Sequence, residues 1–598
     1  MSRNGLGLWL GLLVTAFSGA WGDWKPVEGH SMTRWAAEVD PAAPWPDYPR
    51  PQMVRTNWMN LNGLWEYAIV ATNASAPTNW QGEILVPFPV ESALSGVKKP
   101  LTAQQALWYR RMFSAGDLSA GHRLLLHFGA VDWEAVVWVN GIRVGMHRGG
   151  YAGFSFDITE HLKPGVENEL VVRVWDPTGT DGSARGKQKL ESMAKPEGYW
   201  YTPCSGIWQT AWLEPVPAKR ISALRVTPDL DAASLLIRAE VGGAPEGAAV
   251  TVIARDAQGR EAGRASGPPG APLAVKLTEP HPWSPDDPHL YDLIVTLSVA
   301  GQSVDEVRSY AGLRKVSLGK DEKGFTRILL NNRAVFQAGL LDQGYWPDGI
   351  YTPPTEAAIR YDLELLKQLG FNLARKHAKV ESARWYYACD QMGVLVWQDM
   401  PSSFIAGKGS DQGDGEVKFP EAVPQFAAEL AAMVDGLSHF PSIVLWTVFN
   451  EGWGQHDTVR LTEWVKQRDP TRLVCCASGW HDRKVGGVRD VHAYPGPGAP
   501  RPEENRAGVL GEFGGLALPV SGHQWVEKAW GYAKLENREQ LQKQYLTLWR
   551  RVHELVEERG LSAAVYTQLT DVETECNGLV SYDREVIKVD PLRVFLQE

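Results

Sequence analysis

The run Ile443-Val444-Leu445-Trp446-Thr447-Val448-Phe449-Asn450-Glu451-Gly452-Trp453-Gly454 decides the architecture of this chain. Its first seven residues carry no charge and are mostly β-branched or aromatic, the composition of a strand buried on both faces. The run then breaks into an amide, a carboxylate and glycines, as expected where a buried strand surfaces at a rim and the backbone must turn. Seven other segments after about Leu318 read as strands: Val335–Gly339, Asn372–Arg375, Val394–Trp397, Leu473–Cys476, Asp490–Ala493, Val509–Glu512 and Ala563–Thr567. Longer stretches between some of them, Glu356–Leu369, Phe426–Leu437 and Glu539–Arg559, place apolar residues at helical spacing. Strands alternating with helices predict a (β/α)₈ TIM barrel over residues 318–598, with its functional groups at the C-terminal ends of the strands.

Upstream the pattern is different. From residue 21 to 217 short alternating runs are punctuated by turns, as in Ala135–Val139 followed by Asn140-Gly141, a strong hairpin signal. This part is expected to be a β-sandwich. Residues 218–317 are again β-rich and end in Tyr291–Leu297, which fits an immunoglobulin-like β-sandwich of about 100 residues. A chain of 598 residues exceeds what one hydrophobic core can hold, so a multidomain β and α/β protein is the natural reading.

Composition excludes several roles. The net charge of −10 comes with no basic block, which removes the electrostatic footprint of nucleic-acid binding. Five scattered cysteines make neither a disulfide framework nor a metal-binding set. The start, with Arg3, the apolar run Leu6 to Phe17 and then Ser18-Gly19-Ala20, has the layout of a secretory signal over residues 1–20. Cleavage near Ala20 would give a secreted or periplasmic protein, and no later apolar stretch suggests a membrane anchor. Tryptophan is unusually abundant, 26 residues against 18 Tyr and 16 Phe, and indole rings suit stacking on sugar C–H faces.

Two glutamates stand where barrel strands end: Glu451, and Glu512 in Val509-Leu510-Gly511-Glu512-Phe513-Gly514. Paired carboxylates in a barrel mouth are the minimum apparatus for breaking a glycosidic bond. The acetal oxygen must be protonated as it leaves, and the oxocarbenium-like carbon needs a bare carboxylate on its other face. Separation decides the outcome: about 5–5.5 Å favours a covalent intermediate and retention, about 6.5–9.5 Å inversion. Further candidates around the mouth are Asn450, Arg375, His377, Trp397, Asp399, Trp453, His492, Tyr494 and Tyr566. No carboxylate or Cys set accompanies His481 and His492 at ligand spacing, so neither a metal nor a cofactor is assigned.

Leu61-Asn62-Gly63-Leu64-Trp65, Val131-Asp132-Trp133 to Asn140-Gly141, Gly206-Ile207-Trp208-Gln209, Asn450-Glu451-Gly452 and Gly511-Glu512-Phe513-Gly514 together resemble glycoside hydrolase family 2. The resemblance implies an N-terminal jelly-roll sandwich, an immunoglobulin-like domain and a catalytic barrel, in that order. It implies retention, with Glu451 as acid/base and Glu512 as nucleophile. Asn450 would bond the sugar 2-hydroxyl, Tyr494 would bond the nucleophile, and Arg375 with His377 would match an Arg and a His of the family spaced one residue further apart.

Two departures bear on substrate. Tyr566-Thr567-Gln568 stands where relatives often place a Trp sugar platform, and Asn577 lacks the Asn-x-Lys cation that β-glucuronidases use, unless Lys376 or Lys379 replaces it. The expected function is an exo-acting, β-galactosidase-like glycosidase acting on an oligosaccharide or glycoside. A galactofuranosidase or arabinofuranosidase specificity and a non-catalytic carbohydrate-binding protein are the alternatives.

Overall fold

The computed structural model describes residues 24–29, 31–116, 118–243 and 246–591. The leader read at residues 1–20 lies outside the described residues, and no helix among them is long and apolar enough to cross a membrane.

The first domain is a β-sandwich whose six-stranded sheet runs in the order Gly82–Val86, Gly63–Ala71, Gln105–Phe113, Asn168–Trp175, Glu134–Val139, Ile142–Arg148. A four-stranded sheet that includes His122–Phe128 and Ala211–Pro217 covers it. Strand Asn168–Trp175 alternates strictly between buried and half-buried positions, and its buried set Leu170, Val172 and Val174 meets Leu124, Leu126 and Phe128 of the facing sheet. That alternation is what a sheet with one covered face requires. The Asn140-Gly141 hairpin is present, with Val139 paired to Ile142 and φ of 52° and 78° at the two turn residues. A second sandwich follows. Arg220–Asp229, Ser234–Gly242 and Leu273–Lys276 form one sheet, and Glu261–Gly267, Ala248–Arg255, Tyr291–Val299 and Gln302–Ala311 the other.

The barrel strands are β1 (Gln337–Asp342), β2 (Leu373–Lys376), β3 (Leu395–Asp399), β4 (Ile443–Asn450), β5 (Leu473–Ser478), β6 (Val488–Ala493), β7 (Ala507–Gly514) and β8 (Ala563–Thr567). They pair in parallel in the order β5-β4-β3-β2-β1-β8-β7-β6, and β5 and β6 lie side by side at the seam. Their lower interior is filled by Leu341, Leu373, Leu395, Leu445, Val509 and Val565. Trp283, Ile328 and Leu330, from segments that precede β1, join that cluster. Burial below leaves the polar groups for the other end, where the strands finish.

Five α-helices surround the strands among the described residues: α1 (Glu356–Gln368), α2 (Ala383–Met392), α3 (Val423–Leu437), α4 (Thr458–Arg468) and α5 (Arg538–Arg559). A full (β/α)₈ alternation is thus interrupted. The β5–β6 connection, residues 479–487, is too short for a helix of normal length, and residues 494–506 before β7 contain Pro495, Pro497, Pro500 and Pro502. Proline removes a helical donor and clashes with the preceding turn.

The hairpin offers a clean measure of backbone strain, because a Cβ at Gly141 meets nothing within 4 Å while its φ is left-handed. Gly141→Ala should lower the stability of the first sandwich by about 1 kcal/mol, read as a fall in its calorimetric transition temperature.

Candidate active site

Each barrel strand from β2 to β7 except β5 delivers a sequence-predicted side chain to the rim or just below it, and the arrangement is organised around Arg375. This guanidinium, at the end of β2, has no exposed surface. It donates to Asp399 on β3 (Nη2 to Oδ2, 2.8 Å), to Asn450 Oδ1 on β4 (2.8 Å), and to the Gly511 carbonyl (3.0 Å) and Glu512 Oε1 (3.2 Å) on β7. One planar five-donor group therefore holds three strands in register at the site. Asp399 also accepts from His377 Nδ1 at 2.6 Å.

Glu512 completes its shell with the Tyr494 hydroxyl, which donates to Oε2 at 2.6 Å and is itself 2.7 Å from Thr567 Oγ1. Burial pushes the Glu512 carboxyl up, but His492, Arg375, His377 and Lys187 together hold it well below the usual carboxylate range. Its proximity drives Tyr494 in the other direction: burial and the neighbouring Glu512 charge keep that phenol protonated and donating.

Glu451 follows β4 in a left-handed conformation, φ 51°, held by its amide on the Ser478 carbonyl at 2.9 Å. A non-glycine residue in that region costs of order 1 kcal/mol and is retained where the surroundings enforce it. The carboxylate meets His492 Nδ1 at 2.9 Å. On the other side of the ring, Nε2 lies 2.8 Å from Ser478 Oγ, and Ser478 lies 2.5 Å from Asp490 Oδ2. Serine has one proton, and giving it to Asp490 makes Ser478 the acceptor for His492 Nε2–H. Asp490 in turn takes the Gly511 amide at 2.6 Å, an approach that only glycine permits because a Cβ there would lie 2.3 Å from the carboxylate. Burial would lower the His492 pKa, yet Glu512, Glu451 and Asp490 raise it above its ordinary 6.5. For Glu451, burial raises the pKa and the His492 bond lowers it, with a net fall. The Glu451–His492 pair thus holds its shared proton to a higher pH than a free imidazole would.

One oxygen from each glutamate and a ring nitrogen of His492 all lie within 4.8 Å of one another. The same trio is the one His/carboxylate cluster of metal-ligand size among the described residues. Both ring nitrogens are already engaged, Nδ1 by Glu451 and Nε2 by Ser478, so the trio works as a proton-sharing network.

The structure corrects several expected substrate contacts. Trp397 shares the interior face with Asp399 but sits one layer deeper, in the apolar barrel core, with its indole donating to Gln337 at the start of β1 (2.7 Å). Tyr566 falls on the outer face of β8 and packs edge-on against Phe513 and Tyr545 of α5. The strand period of two explains both: Thr567, its neighbour, turns inward to Tyr494. Arg375 and Asp399 are saturated beneath the carboxylates and act on them. Lys376 and Lys379 do not offer a free cation, since Lys376 bonds Asp342 (2.6 Å) and Lys379 bonds Glu381 (2.7 Å), all buried. His377 is held neutral by burial, and its Nε2 has no partner. Among the described residues Asn450 Nδ2 makes no hydrogen bond, its Oδ1 being the atom that Arg375 holds.

Trp453 joins an aromatic wall that the sequence did not disclose. It stacks on Trp200 (5.2 Å) and Tyr199 (5.7 Å), which come from the first sandwich. Lys187, from the same sandwich loop, places Nζ 5.5 Å from the Tyr199 ring and 5.8 Å from Trp453. Among the described residues this ammonium makes no ion pair or hydrogen bond, while its charge reaches Glu451 and Glu512. Tyr532 stacks face to face on Tyr494 at 3.6 Å. Tyr201 from the loop binds Glu575 and receives a bond from Gln343 (2.6 Å). Between 142 and 374 residues separate Tyr201 of this loop from its barrel partners Gln343 and Glu575, and only the tryptophan count hinted at the contact.

Removing the central cation would strand two buried carboxylates. Arg375→Met should cost about 3–5 kcal/mol, measured as a fall in the thermal transition of the barrel.

Family profiles match three consecutive parts of the chain: the sugar binding domain of glycosyl hydrolases family 2 at residues 58–211, a second family 2 domain at 219–314, and the family 2 TIM barrel domain at 328–495. A putative β-glucuronidase of Formosa agariphila is 29% identical over 395 residues, 64% of this chain and 35% of that protein. A β-galactosidase of Leuconostoc mesenteroides is 26% identical over 447 residues, covering 68% of this chain and 39% of the relative. This chain therefore spans well under half the length of those two relatives. Among solved structures, the β-D-glucuronidase of Dictyoglomus thermophilum superposes with a TM-score of 0.71 at 20% identity, over 92% of this chain and 97% of the other. With its sandwich, second sandwich and barrel matched in order by profiles of one family, the chain belongs to glycoside hydrolase family 2.

Proposed function

We propose that this protein is a retaining glycoside hydrolase that releases a terminal β-linked sugar by double displacement. The observation that carries the reading is the spacing and unequal charge of the two strand-end carboxylates. One oxygen of each lies within 4.8 Å of one of the other, which supports the closer, retaining arrangement of about 5–5.5 Å between carboxyl groups over the inverting one of about 6.5–9.5 Å. Glu512, held bare by Arg375 and His492, attacks the anomeric carbon while the Glu451–His492 pair delivers its proton to the leaving oxygen. The glycosyl ester on Glu512 is then cleaved by water, which Glu451 deprotonates. Asn450, whose Oδ1 is held by Arg375, keeps its amide donor for a sugar hydroxyl. A purely sugar-binding protein would have no use for one carboxylate kept ionised beside a second that shares a proton. The leader at residues 1–20 would carry the enzyme to the cell exterior or periplasm.

A second reading concerns the sugar. The unpaired Lys187 beside the Tyr199–Trp453 wall favours a substrate bearing an acidic group over a neutral hexose, and the curated relatives include proteins named β-glucuronidase and β-galactosidase. Lys187→Met should reduce the ratio of kcat/KM for nitrophenyl β-glucuronide to that for nitrophenyl β-galactoside by at least about tenfold, the loss of one charge-assisted contact. An unchanged ratio removes Lys187 from sugar selection.

Glu512→Gln and Glu451→Gln should each lower kcat on nitrophenyl glycosides by about 10²–10⁴-fold or more, while each variant still unfolds in a cooperative thermal transition. The first product seen by NMR in the wild type should keep the anomeric configuration of the substrate; an inverted product would defeat the mechanism.

The pH profile follows from the same pair. His492 has a raised pKa, so its charge is present at low pH and is lost as pH rises through a value above 6.5. Beyond that point the pair has no proton left to donate, and kcat falls. Without His492 the limb reflects the Glu451 carboxyl alone, so His492→Asn should move the alkaline limb of the kcat profile to lower pH.

A further inference from the structure

A second cavity, of about 340 Å³, lies between the first sandwich and the flank of the barrel. It is lined from the sandwich by residues such as His127, Tyr151, Trp208, Gln209 and Trp212, from the segment around Trp45, and from the barrel by Glu381, Ser382 and α3. None of Arg375, Asn450, Glu451, His492 or Glu512 lines it. Its size falls at the lower end of ligand pockets, about 300–1,000 Å³.

The lining has two properties that ordinary domain packing does not produce together. First, it is lined by aromatic rings whose polar ends are already used. Trp45 donates to the Pro353 carbonyl (3.0 Å), Trp208 to the Gly150 carbonyl (2.8 Å) and Trp212 to Glu214 (2.7 Å), so each indole offers only its ring surface. Second, polar atoms that have no hydrogen-bond partner among the described residues collect on the lining side chains: Gln52 Oε1, Gln209 Nε2, Glu381 Oε2 and Ser382 Oγ. Glu381 is more than nine-tenths buried. A buried polar atom without a partner costs about 1–3 kcal/mol, and natural proteins do not concentrate several around one space without something to satisfy them.

The chemistry of those atoms selects the occupant. Gln209 donates, Gln52 and Glu381 accept, and Ser382 does either. The full charges nearby are neutralised within the protein: Arg50 by Glu214, Arg384 by Glu356, and Glu381 by Lys376 and Lys379. Burial keeps His127 uncharged, near 3, and raises Glu429 to about 7. Interleaved donors and acceptors set against flat apolar walls, with no unpaired charge, match a neutral ring that carries several hydroxyls, each able to donate and accept. We propose that this interdomain cavity is a second saccharide site, taking one or two neutral sugar units and separate from the catalytic mouth.

The site is tested by binding, without reliance on turnover. Full-length Glu512→Gln protein is titrated calorimetrically with methyl β-galactopyranoside and with cellobiose, beside the same protein carrying Gly436→Phe. Gly436 stands exposed on α3 at the cavity rim, and a Cβ there meets nothing within 4 Å, so the phenyl ring can block the entrance without a backbone clash. A binding event present in the parent and weakened at least tenfold by Gly436→Phe is expected. Should the phenylalanine variant lose thermal stability, Gln209→Ala removes a single donor and should weaken the same event about two- to tenfold. No binding of either sugar, or binding that both cavity variants leave unchanged, overturns the proposal. Neither result touches the hydrolase reading, which is judged by the glutamate variants on nitrophenyl substrates.

Discussion

The constraint on which the site depends is the burial of one guanidinium among three strand ends. Taking an arginine out of water costs several kcal/mol even after relaxation, and the loss is recovered only if its donors and countercharges are satisfied. Arg375 meets that condition by binding Asp399, Asn450, the Gly511 carbonyl and Glu512 at once. Because those groups lie on β3, β4 and β7, the cation also fixes the relative height of the strands that carry both glutamates. Electrostatics and geometry are therefore not separable here: the contact that keeps Glu512 ionised is the contact that holds it opposite Glu451.

A second layer divides the labour between the carboxylates. His492 stands between them, bonded to Glu451 at 2.9 Å and 3.5 Å from Glu512. Its orientation is set from behind by Ser478 and Asp490, and Asp490 is anchored in turn on the Gly511 amide. The chain from the β7 backbone through β6 and β5 to the end of β4 makes a single polar circuit. Two carboxylates so near each other would ordinarily raise one another's pKa and share a proton directly. Routing the shared proton through the imidazole instead leaves Glu512 bare and Glu451 supplied.

The strand positions were legible because a barrel strand buried on both faces leaves little choice of residue: all eight predicted runs coincide with β1 to β8 to within a few residues. The glutamates, Asn450, His492 and Tyr494 were legible because they stand where an apolar run stops. Trp397 and Tyr566 were misread for a reason of parity and depth. A residue two positions before a rim residue points inward but lies below it, and a residue one position away points outward. Sequence registers proximity to a strand end, and it does not by itself register the layer. The missing helix between β5 and β6 was readable from the short connection 479–487 and that between β6 and β7 from prolines 495, 497, 500 and 502, and the pull of the eightfold pattern outweighed both signals.

What no local pattern could disclose is the contribution of the first sandwich to the barrel mouth. Lys187, Tyr199, Trp200 and Tyr201 lie on a loop of the sandwich, yet they stack on Trp453, bond Gln343 and Glu575, and shift the charge balance of both glutamates. The loop is tied down along its length: the Arg185 and Gly186 amides bind the Ser402 carbonyl, the Thr202 amide binds Glu573, and Thr574 binds the Gly198 carbonyl. Each tether uses a backbone group that would otherwise need water. A segment so held behaves as part of the barrel rim, so the aromatic wall and its cation have a defined position only when both domains are present. The barrel therefore supplies the paired carboxylates, while the sandwich supplies the Tyr199–Trp200 wall and the Lys187 cation beside Trp453.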